Sequence, residues 1–165
     1  MKFSTSTVQT SCDSPLGRIL LAASDDQLVG VWFVEGQRHL PDASHWPEAA
    51  NHPVLLQAQT QLAQYFCGQR TSFDLPLGLG CGTEFQQSVW QALLNVPCGA
   101  TVTYGELSAR LGKPTAVRAV GGAIGRNPLS IIVPCHRIVG ANGTLTGYGG
   151  GLERKAALLQ LEGQA

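Results

Sequence analysis

Short apolar runs fill the first third of the chain and have the length that strands need. Gly17–Ser24 and Gln27–Val34 are rich in Leu, Ile and Val and flank a pair of aspartates, which predicts an antiparallel hairpin with a tight turn. Val8–Ser11 and Ser72–Leu77 are weaker candidates for further strands. This part of the chain therefore predicts a small, mostly antiparallel sheet.

A helix is predicted to follow the hairpin. Over Pro53–Cys67 the apolar residues recur at helical spacing on one face, and Gly68 ends the pattern. Three glycines lie within Gly78–Gly82, which is typical of a linker. We therefore predict two domains, an α/β domain over residues 1–80 and a second domain over residues 81–165.

The second domain is predicted to be mainly helical. Thr83 and Thr103 each begin a capping-box pattern, and the first of these helices stops before Pro97. The second helix is short, and after a turn Thr115 is the predicted cap of a helix over Ala116–Ile124. Two short helices joined by a tight turn outline a helix-turn-helix motif, which also occurs in proteins that bind no DNA.

The helix over Ala116–Ile124 presents an unusually smooth surface. Gly121 and Gly122 are adjacent within it, and each glycine costs about 1 kcal/mol relative to alanine. Arg118 is the one long cation beside these glycines and Ala119. Small residues let a partner approach the backbone closely, and that partner is either another helix or the floor of a DNA groove.

Charge is scarce and unevenly distributed along the chain. Lys and Arg number 11, Asp and Glu number 11, and charged residues make up 13% of the chain. Residues 81–165 nevertheless carry seven basic and four acidic residues, a net charge of +3, and the 46 residues between Glu106 and Glu153 contain no carboxylate. This indicates either a second domain that binds a polyanion or chance scatter in a charge-poor protein.

Nothing in the sequence indicates export or membrane insertion. The N-terminus is polar, and no apolar run approaches the roughly 18 residues that a membrane span needs. The five cysteines are scattered and include no CxxC pair. We therefore expect free thiols in a reducing, cytoplasmic compartment, and no membrane partner.

One cysteine has neighbours that suit chemistry. Cys135 follows Pro134 and precedes His136 and Arg137. A histidine and a cation beside a cysteine lower the pKa of the thiol and make the nucleophilic thiolate available near neutral pH. The alternative is a buried structural cysteine, the usual environment of this residue type.

The motifs around Cys135 resemble those of the O6-alkylguanine-DNA alkyltransferases, also called methylated-DNA–protein-cysteine methyltransferases. Pro-Cys-His-Arg lies within Asn127–Val139, and five further segments follow the order and spacing of that family: Asp13–Gly17, Phe85–Trp90, Thr103–Leu107, Arg118–Gly121 and Gly147–Leu152. The match is dense over residues 82–163 and thin before them. The ordered set is far more specific than any one motif.

The resemblance implies both a fold and a reaction. The first domain would be ribonuclease-H-like, and the second mainly α-helical with a winged helix-turn-helix-like motif. The protein would repair DNA by irreversible transfer of the alkyl group of O6-alkylguanine, and of O4-alkylthymine, to Cys135, so that each molecule acts once. No cofactor is implied, and the sequence has no phosphate loop or dinucleotide motif.

The resemblance also implies catalytic roles. Cys135 is the acceptor, His136 takes its proton through a bridging water, and Glu162 orients His136. Tyr104 gives a hydrogen bond to the departing guanine. Apart from the family, Glu162 fits a solvated helix end and Tyr104 an ordinary core residue.

Double-stranded DNA containing O6-alkylguanine is the implied partner. The recognition helix would enter the minor groove, and Arg118 would fill the space left by the flipped base. The residues implied to contact DNA are Arg118, Ala119, Gly121, Gly122, Thr103, Asn127 and Arg137. We expect a monomer, with cooperative clustering on DNA left open.

The alkyl pocket is expected along Val139–Leu152. Its implied lining is Val139, Tyr148, Gly149 and Asn127, of which Asn127 also ties the recognition helix to the active-site turn. The small Gly149 leads to the hypothesis that adducts bulkier than methyl are accepted. No metal is expected, because the zinc-binding stretch of some relatives is represented here by Cys12 alone, with the histidines in a predicted loop.

Three other functions fit part of the pattern. A non-catalytic relative that binds alkylated bases would lack the acceptor cysteine, which is present here. Some helix-turn-helix regulators carry such a domain fused to others, but 165 residues leave no room for a second DNA-reading module. A cysteine hydrolase would use Cys135, His136 and Glu162 and would turn over without permanent loss of its thiol.

Overall fold

A three-stranded antiparallel sheet begins the chain in the computed structural model, which describes residues 1–163. The strands, in their order across the sheet, are β1 (Thr7–Cys12), β2 (Ile19–Ser24) and β3 (Gln27–Phe33). Ser24 pairs with Gln27 across the turn, where Asp25 has a left-handed φ of 51°, a conformation that aspartate tolerates. The predicted hairpin and the strand before it are confirmed.

Helix α1 (Pro53–Phe66) packs against this sheet. Its proline lies in the first turn, where a missing N–H costs nothing. The helix ends one residue earlier than predicted, with Cys67 as its C-cap and Gly68 in the left-handed region at φ 70°. The remaining face of the sheet is covered by an aromatic cluster of Phe3, Trp32 and Trp46.

The strand predicted over Ser72–Leu77 is wrong. Leu77 makes only a single bridge with Leu28, with backbone hydrogen bonds from Leu28 N to Pro76 O and from Gly78 N to Leu28 O, each 2.8 Å long. Pro76 has no N–H to donate, so the segment cannot extend this bridge into a ladder.

The second domain is mainly helical. Its elements are α2 (Glu84–Leu93), β4 (Val102–Thr103), α3 (Tyr104–Arg110), α4 (Val117–Ile124), a 3₁₀ turn (Cys135–Arg137), β5 (Ile138–Val139) and α5 (Leu152–Leu161). The short strands β4 and β5 pair in parallel, so the residues after the 3₁₀ turn lie beside the start of α3. Within residues 1–163, no helix has both the length and the apolar character to cross a membrane.

Helix caps set the boundaries of the helix-turn-helix. Thr83 and Thr103 each accept a hydrogen bond from the backbone N–H three residues later, and the Gln or Glu there bonds back, so both predicted capping boxes are confirmed. The cap predicted at Thr115 is wrong, because Ala116 precedes α4 and no side chain caps it.

One continuous core runs through both domains. Val31 of β3, Trp90 of α2 and Val133 belong to the same cluster of buried side chains. Backbone bonds also join β3 to the segment before the 3₁₀ turn, from Val31 N to Pro128 O at 2.8 Å and from Ser130 N to Val31 O at 3.0 Å. The first domain therefore supports the turn that carries Cys135.

Candidate active site

A cavity of about 250 Å³ lies where the two domains meet, and Cys135 is part of its lining. The second domain contributes Tyr104 from α3, Gly121 and Gly122 from α4, and Tyr148 and Gly149 from the loop before α5. The first domain contributes Arg38 and His39, which sequence reasoning missed as part of this site. Their proximity depends on how the domains pack, so no local signal could have found them.

Cys135 is held in a buried position. It is 5% exposed, and the Asn127 amide donates to its Sγ at 3.1 Å and to Val133 O at 2.8 Å. Burial raises the pKa of the Cys135 thiol, against the opposing effects of the Asn127 hydrogen bond and the Lys155 charge. The predicted lowering of this pKa is therefore wrong, because burial outweighs the Asn127 hydrogen bond and the Lys155 charge.

A buried relay lies behind Cys135. His136 Nε2 is 2.8 Å from Glu162 Oε1, and Arg137 donates from Nε to Oε2 and from Nη2 to Oε1, each at 2.9 Å. Burial raises the pKa of the Glu162 carboxyl, but the hydrogen bonds from His136 and Arg137 outweigh it and hold the pKa well below its usual range. The carboxylate is therefore ionised and can only accept.

The ionised carboxylate fixes the tautomer of His136. Because Glu162 only accepts, Nε2 of His136 carries the proton and Nδ1 has a lone pair. Burial lowers the pKa of His136, and the positive charges of Arg137 and Lys155 lower it further, against the hydrogen bond and negative charge of Glu162, so the ring is neutral. Within residues 1–163, no protein atom hydrogen-bonds Nδ1, which is buried. The ring thus keeps one basic nitrogen.

The structure corrects the expected DNA contact of Arg137. Its guanidinium is bound to Glu162 and to Val96 O, and the residue is only 6% exposed. A side chain enclosed in this way cannot reach a DNA backbone. Asn127, also expected at the DNA, is 5% exposed and bonded to the active-site turn, as its expected linking role requires.

Tyr104 lines the cavity at the start of α3. Its hydroxyl donates to Thr146 O at 3.0 Å. Burial raises the pKa of Tyr104, so the hydroxyl remains a donor. Gly147 has φ 53°, and a Cβ there would lie 3.0 Å from the Tyr104 hydroxyl, so this position favours glycine.

Lys155 is a buried cation that sequence reasoning missed. Its Nζ donates to Ile138 O, to Thr146 O at 2.7 Å and to Gly147 O at 3.3 Å. Burial lowers the pKa of Lys155 to about 8. Lys155 therefore holds the same loop carbonyls that Tyr104 contacts, and it brings positive charge toward Cys135.

The exposed face of α4 has the opposite character. Arg118 and Ala119 are exposed, and Arg118 lies one helical turn before Gly122, on the same face. Among the residues that the structure describes, the only ion pairs are those of His136 and Arg137 with Glu162, so Arg118 is unpaired. Thr103, also expected at the DNA, is partly exposed and caps α3.

The pocket wall matches the expectation only in part. Tyr148 and Gly149 line the cavity, but Val139 and Asn127 do not. Val139 is instead buried in β5, where it pairs with Thr103.

Glycine is needed at position 150, because a Cβ there would lie 2.8 Å from the Tyr148 ring and 2.9 Å from Phe33. In the described part of the chain, no three His, Cys, Asp or Glu residues are grouped to hold a metal ion.

Two family models match the chain in succession. The ribonuclease-like domain of 6-O-methylguanine DNA methyltransferase matches residues 7–79, and its DNA binding domain matches residues 84–164. Methylated-DNA–protein-cysteine methyltransferases from Mycobacterium leprae and Methanosarcina acetivorans are each 50% identical to this chain. Both alignments cover 92% of it, with 90% and 95% of those proteins.

Solved structures agree with these matches. The Mycobacterium tuberculosis OGT in complex with DNA superposes with a TM-score of 0.87 at 47% identity, covering 94% of this chain and 92% of that one. The chain therefore belongs to the 6-O-methylguanine DNA methyltransferase family. The predicted family and its two-domain fold class are confirmed.

Proposed function

We propose that this protein repairs DNA by moving the alkyl group of O6-alkylguanine onto Cys135. The observation that carries the proposal is the placement of this one thiol in a cavity between the small-residue face of α4 and the buried His136–Glu162 pair. Family membership supports the substrate, and a relative of 47% identity is known in complex with DNA.

Deprotonation of the thiol is the first chemical task. Burial favours the protonated Cys135 thiol, and His136 Nδ1 is the basic atom of the adjacent relay. In the proposed step the thiol proton passes through a water to Nδ1, while Glu162 stabilises the imidazolium that forms. Lys155 favours the thiolate through its charge.

The transfer then exchanges one bond for another. The sulfur electron pair forms a bond to the alkyl carbon as the bond from that carbon to O6 breaks, and the released electron pair stays on guanine, which takes up a proton. Tyr104 lines the cavity and is the proposed hydrogen-bond donor to the departing base. The product is a thioether, which has no good leaving group, so each molecule acts once. The step needs no cofactor, and O4-alkylthymine offers the same alkyl–oxygen bond.

DNA would be bound by the exposed face of α4. Gly121, Gly122 and Ala119 allow close approach in the minor groove, and Arg118 replaces the flipped base in the stack. Thr103 would lie at the edge of this surface. Gly149 lines the cavity without a side chain, which extends the proposal to adducts bulkier than methyl. We further propose a monomer that acts in the cytoplasm, with a domain boundary at residues 80–81.

A titration distinguishes this function from a cysteine hydrolase. Increasing amounts of an oligonucleotide duplex bearing O6-methylguanine are added to a fixed amount of protein, and restored guanine is quantified. The proposal predicts a plateau at one guanine restored per protein molecule. Continued turnover beyond one equivalent would contradict it and favour the hydrolase.

A further inference from the structure

The first domain reaches the catalytic relay through a tyrosine. Tyr65 of α1 is 2% exposed, and its hydroxyl donates to Glu162 Oε1 at 2.7 Å. The two residues lie 97 positions apart in the chain. We infer that Tyr65 is a positioning residue for alkyl transfer, whose hydroxyl sets how strongly Glu162 holds His136; the inference rests on the proposed function of this site.

Three donors share one carboxylate oxygen. Besides Tyr65, Glu162 Oε1 receives His136 Nε2 at 2.8 Å and Arg137 Nη2 at 2.9 Å. An ionised carboxylate has about four lone-pair positions over its two oxygens, so three donors crowd one atom. Each donor withdraws charge from Oε1 and weakens it as an acceptor for the other two. Tyr65 therefore competes with His136 for the negative charge of Glu162.

The ring of Tyr65 does not need this hydroxyl to stay in place. It packs against Phe66 at 5.5 Å and Phe73 at 5.4 Å between ring centroids, and it belongs to the continuous core. A phenylalanine would fill the same space. Burial, and then the negative charge of Glu162, raise the pKa of Tyr65 well above its usual range, so the hydroxyl is always a donor.

The shared oxygen links Tyr65 to the proton step. When His136 takes the thiol proton, the imidazolium is stabilised by Glu162 Oε1. Removal of the Tyr65 hydroxyl would leave more charge on this oxygen for His136, so the ring would bind its proton more tightly. The other groups that face this pair are Arg137, Cys98 and Lys155, and all of them remain in a Tyr65 variant.

The test is Tyr65→Phe, assayed as single-turnover alkyl transfer between about pH 5 and pH 9. The rate has an acid limb because His136 must be neutral to accept the thiol proton. We expect the acid limb of the profile to move up by about 0.5 pH unit, since a hydrogen bond to a charged group is strong but only part of its effect reaches His136. Below the midpoint the rate then falls by about threefold. Well above it the change is small.

A second readout does not depend on DNA. The NMR titration of the His136 ring in the free protein should show the same upward shift of its pKa in Tyr65→Phe. This measurement separates the inference from the proposed function, because it holds whether or not the protein transfers an alkyl group. An unchanged His136 pKa together with an unchanged acid limb would overturn the role of Tyr65.

Phe73→Leu is the matched control. It removes an aromatic contact of Tyr65 and keeps the hydroxyl on Glu162. We expect a lower melting temperature and no movement of the acid limb. If Phe73→Leu shifts the profile as far as Tyr65→Phe does, the role is structural and the inference fails.

A substitution in the other direction covers the case in which Tyr65→Phe does not fold. 3-Fluorotyrosine placed at position 65 keeps the hydroxyl and makes it a stronger donor. It should move the acid limb and the His136 pKa to lower pH. Movement in the other direction, or none, would contradict the competition at Oε1.

Discussion

The two sides of Cys135 differ in solvent exposure and in how their charged groups are paired. Toward solvent, α4 presents Arg118, small side chains and exposed backbone, and the ion pairs of the described residues include none from α4. Toward the interior, His136 and Glu162 are buried, and the carboxylate is bound by three donors from two separate segments, α1 and the 3₁₀ turn. The outer side is suited to reversible binding of a partner. The inner side is suited to proton transfer through hydrogen bonds of fixed geometry.

The contrast matters because dielectric screening differs between the two sides. Charges on the α4 face are surrounded by water and salt, so they act on DNA and contribute little to folding. The buried relay is weakly screened, and a missing partner leaves a charge that cannot be solvated. Substitutions on the inner side should therefore affect stability and chemistry together, whereas those on the outer side should affect DNA handling alone.

The largest effect is expected for Glu162→Ala. It leaves the Arg137 guanidinium buried without its carboxylate, which should lower the free energy of unfolding by about 3–5 kcal/mol and abolish rapid transfer. Urea unfolding and a single-turnover assay measure the two effects. Glu153→Ala removes an exposed carboxylate from α5, the helix that Glu162 caps, and should change neither. Equal changes in unfolding free energy and transfer rate in the two variants would contradict the role of Glu162 in stability and alkyl transfer.

Arg118→Ala tests the outer side. We expect repair of duplex DNA to slow by about thirtyfold, because extrusion of the base loses the side chain that fills its place. Stability should stay within about 0.5 kcal/mol, as for other exposed positions. Arg110→Ala, which removes a cation from α3, is the control for charge alone. An equal loss with free O6-alkylguanine base would exclude the role of Arg118 in base flipping.

The smallest expected effect is on how the free energy of unfolding changes with pH in the acid range. The pKa of Glu162 is depressed in the fold, so its stabilisation is present above the ordinary carboxyl pKa and is lost as the pH falls toward the folded value. The pKa of His136 is lowered by burial, so as the pH falls His136 is protonated in the unfolded chain before it is protonated in the folded protein. Stability therefore again falls with acid. Glu162→Gln should reduce the slope of unfolding free energy between about pH 5 and pH 3 by up to about 1.4 kcal/mol per pH unit. Equal slopes in both proteins would show that the pKa of Glu162 is not depressed in the folded protein.

Local signals in the sequence predicted secondary structure better than they predicted the buried relay. The capping boxes at Thr83 and Thr103 and the β2–β3 hairpin depend on residues a few positions apart, so their patterns could be read directly. Local readings failed at Pro76, whose missing N–H prevents a strand, and at Thr115, which does not cap α4.

The inner side could not be predicted from local signals, because its contacts join distant segments. Family resemblance indicated His136 and Glu162, but Arg137 was assigned to DNA because nothing nearby in the sequence shows its pairing with Glu162. Lys155 looks like an ordinary surface residue of a short helix until the loop carbonyls close over it. Tyr65 reaches the relay only through the packing of α1 against the second domain.

The most direct test of the account is the mass of the protein after reaction. After incubation with an O6-methylguanine duplex and protease digestion, the account predicts a gain of about 14 Da, one methylene, on the peptide that contains Cys135 and on none of the peptides with the other four cysteines. Cys135→Ser should show neither the gain nor restored guanine. Restored guanine in Cys135→Ser, or the added mass on another cysteine, would show that Cys135 is not the acceptor.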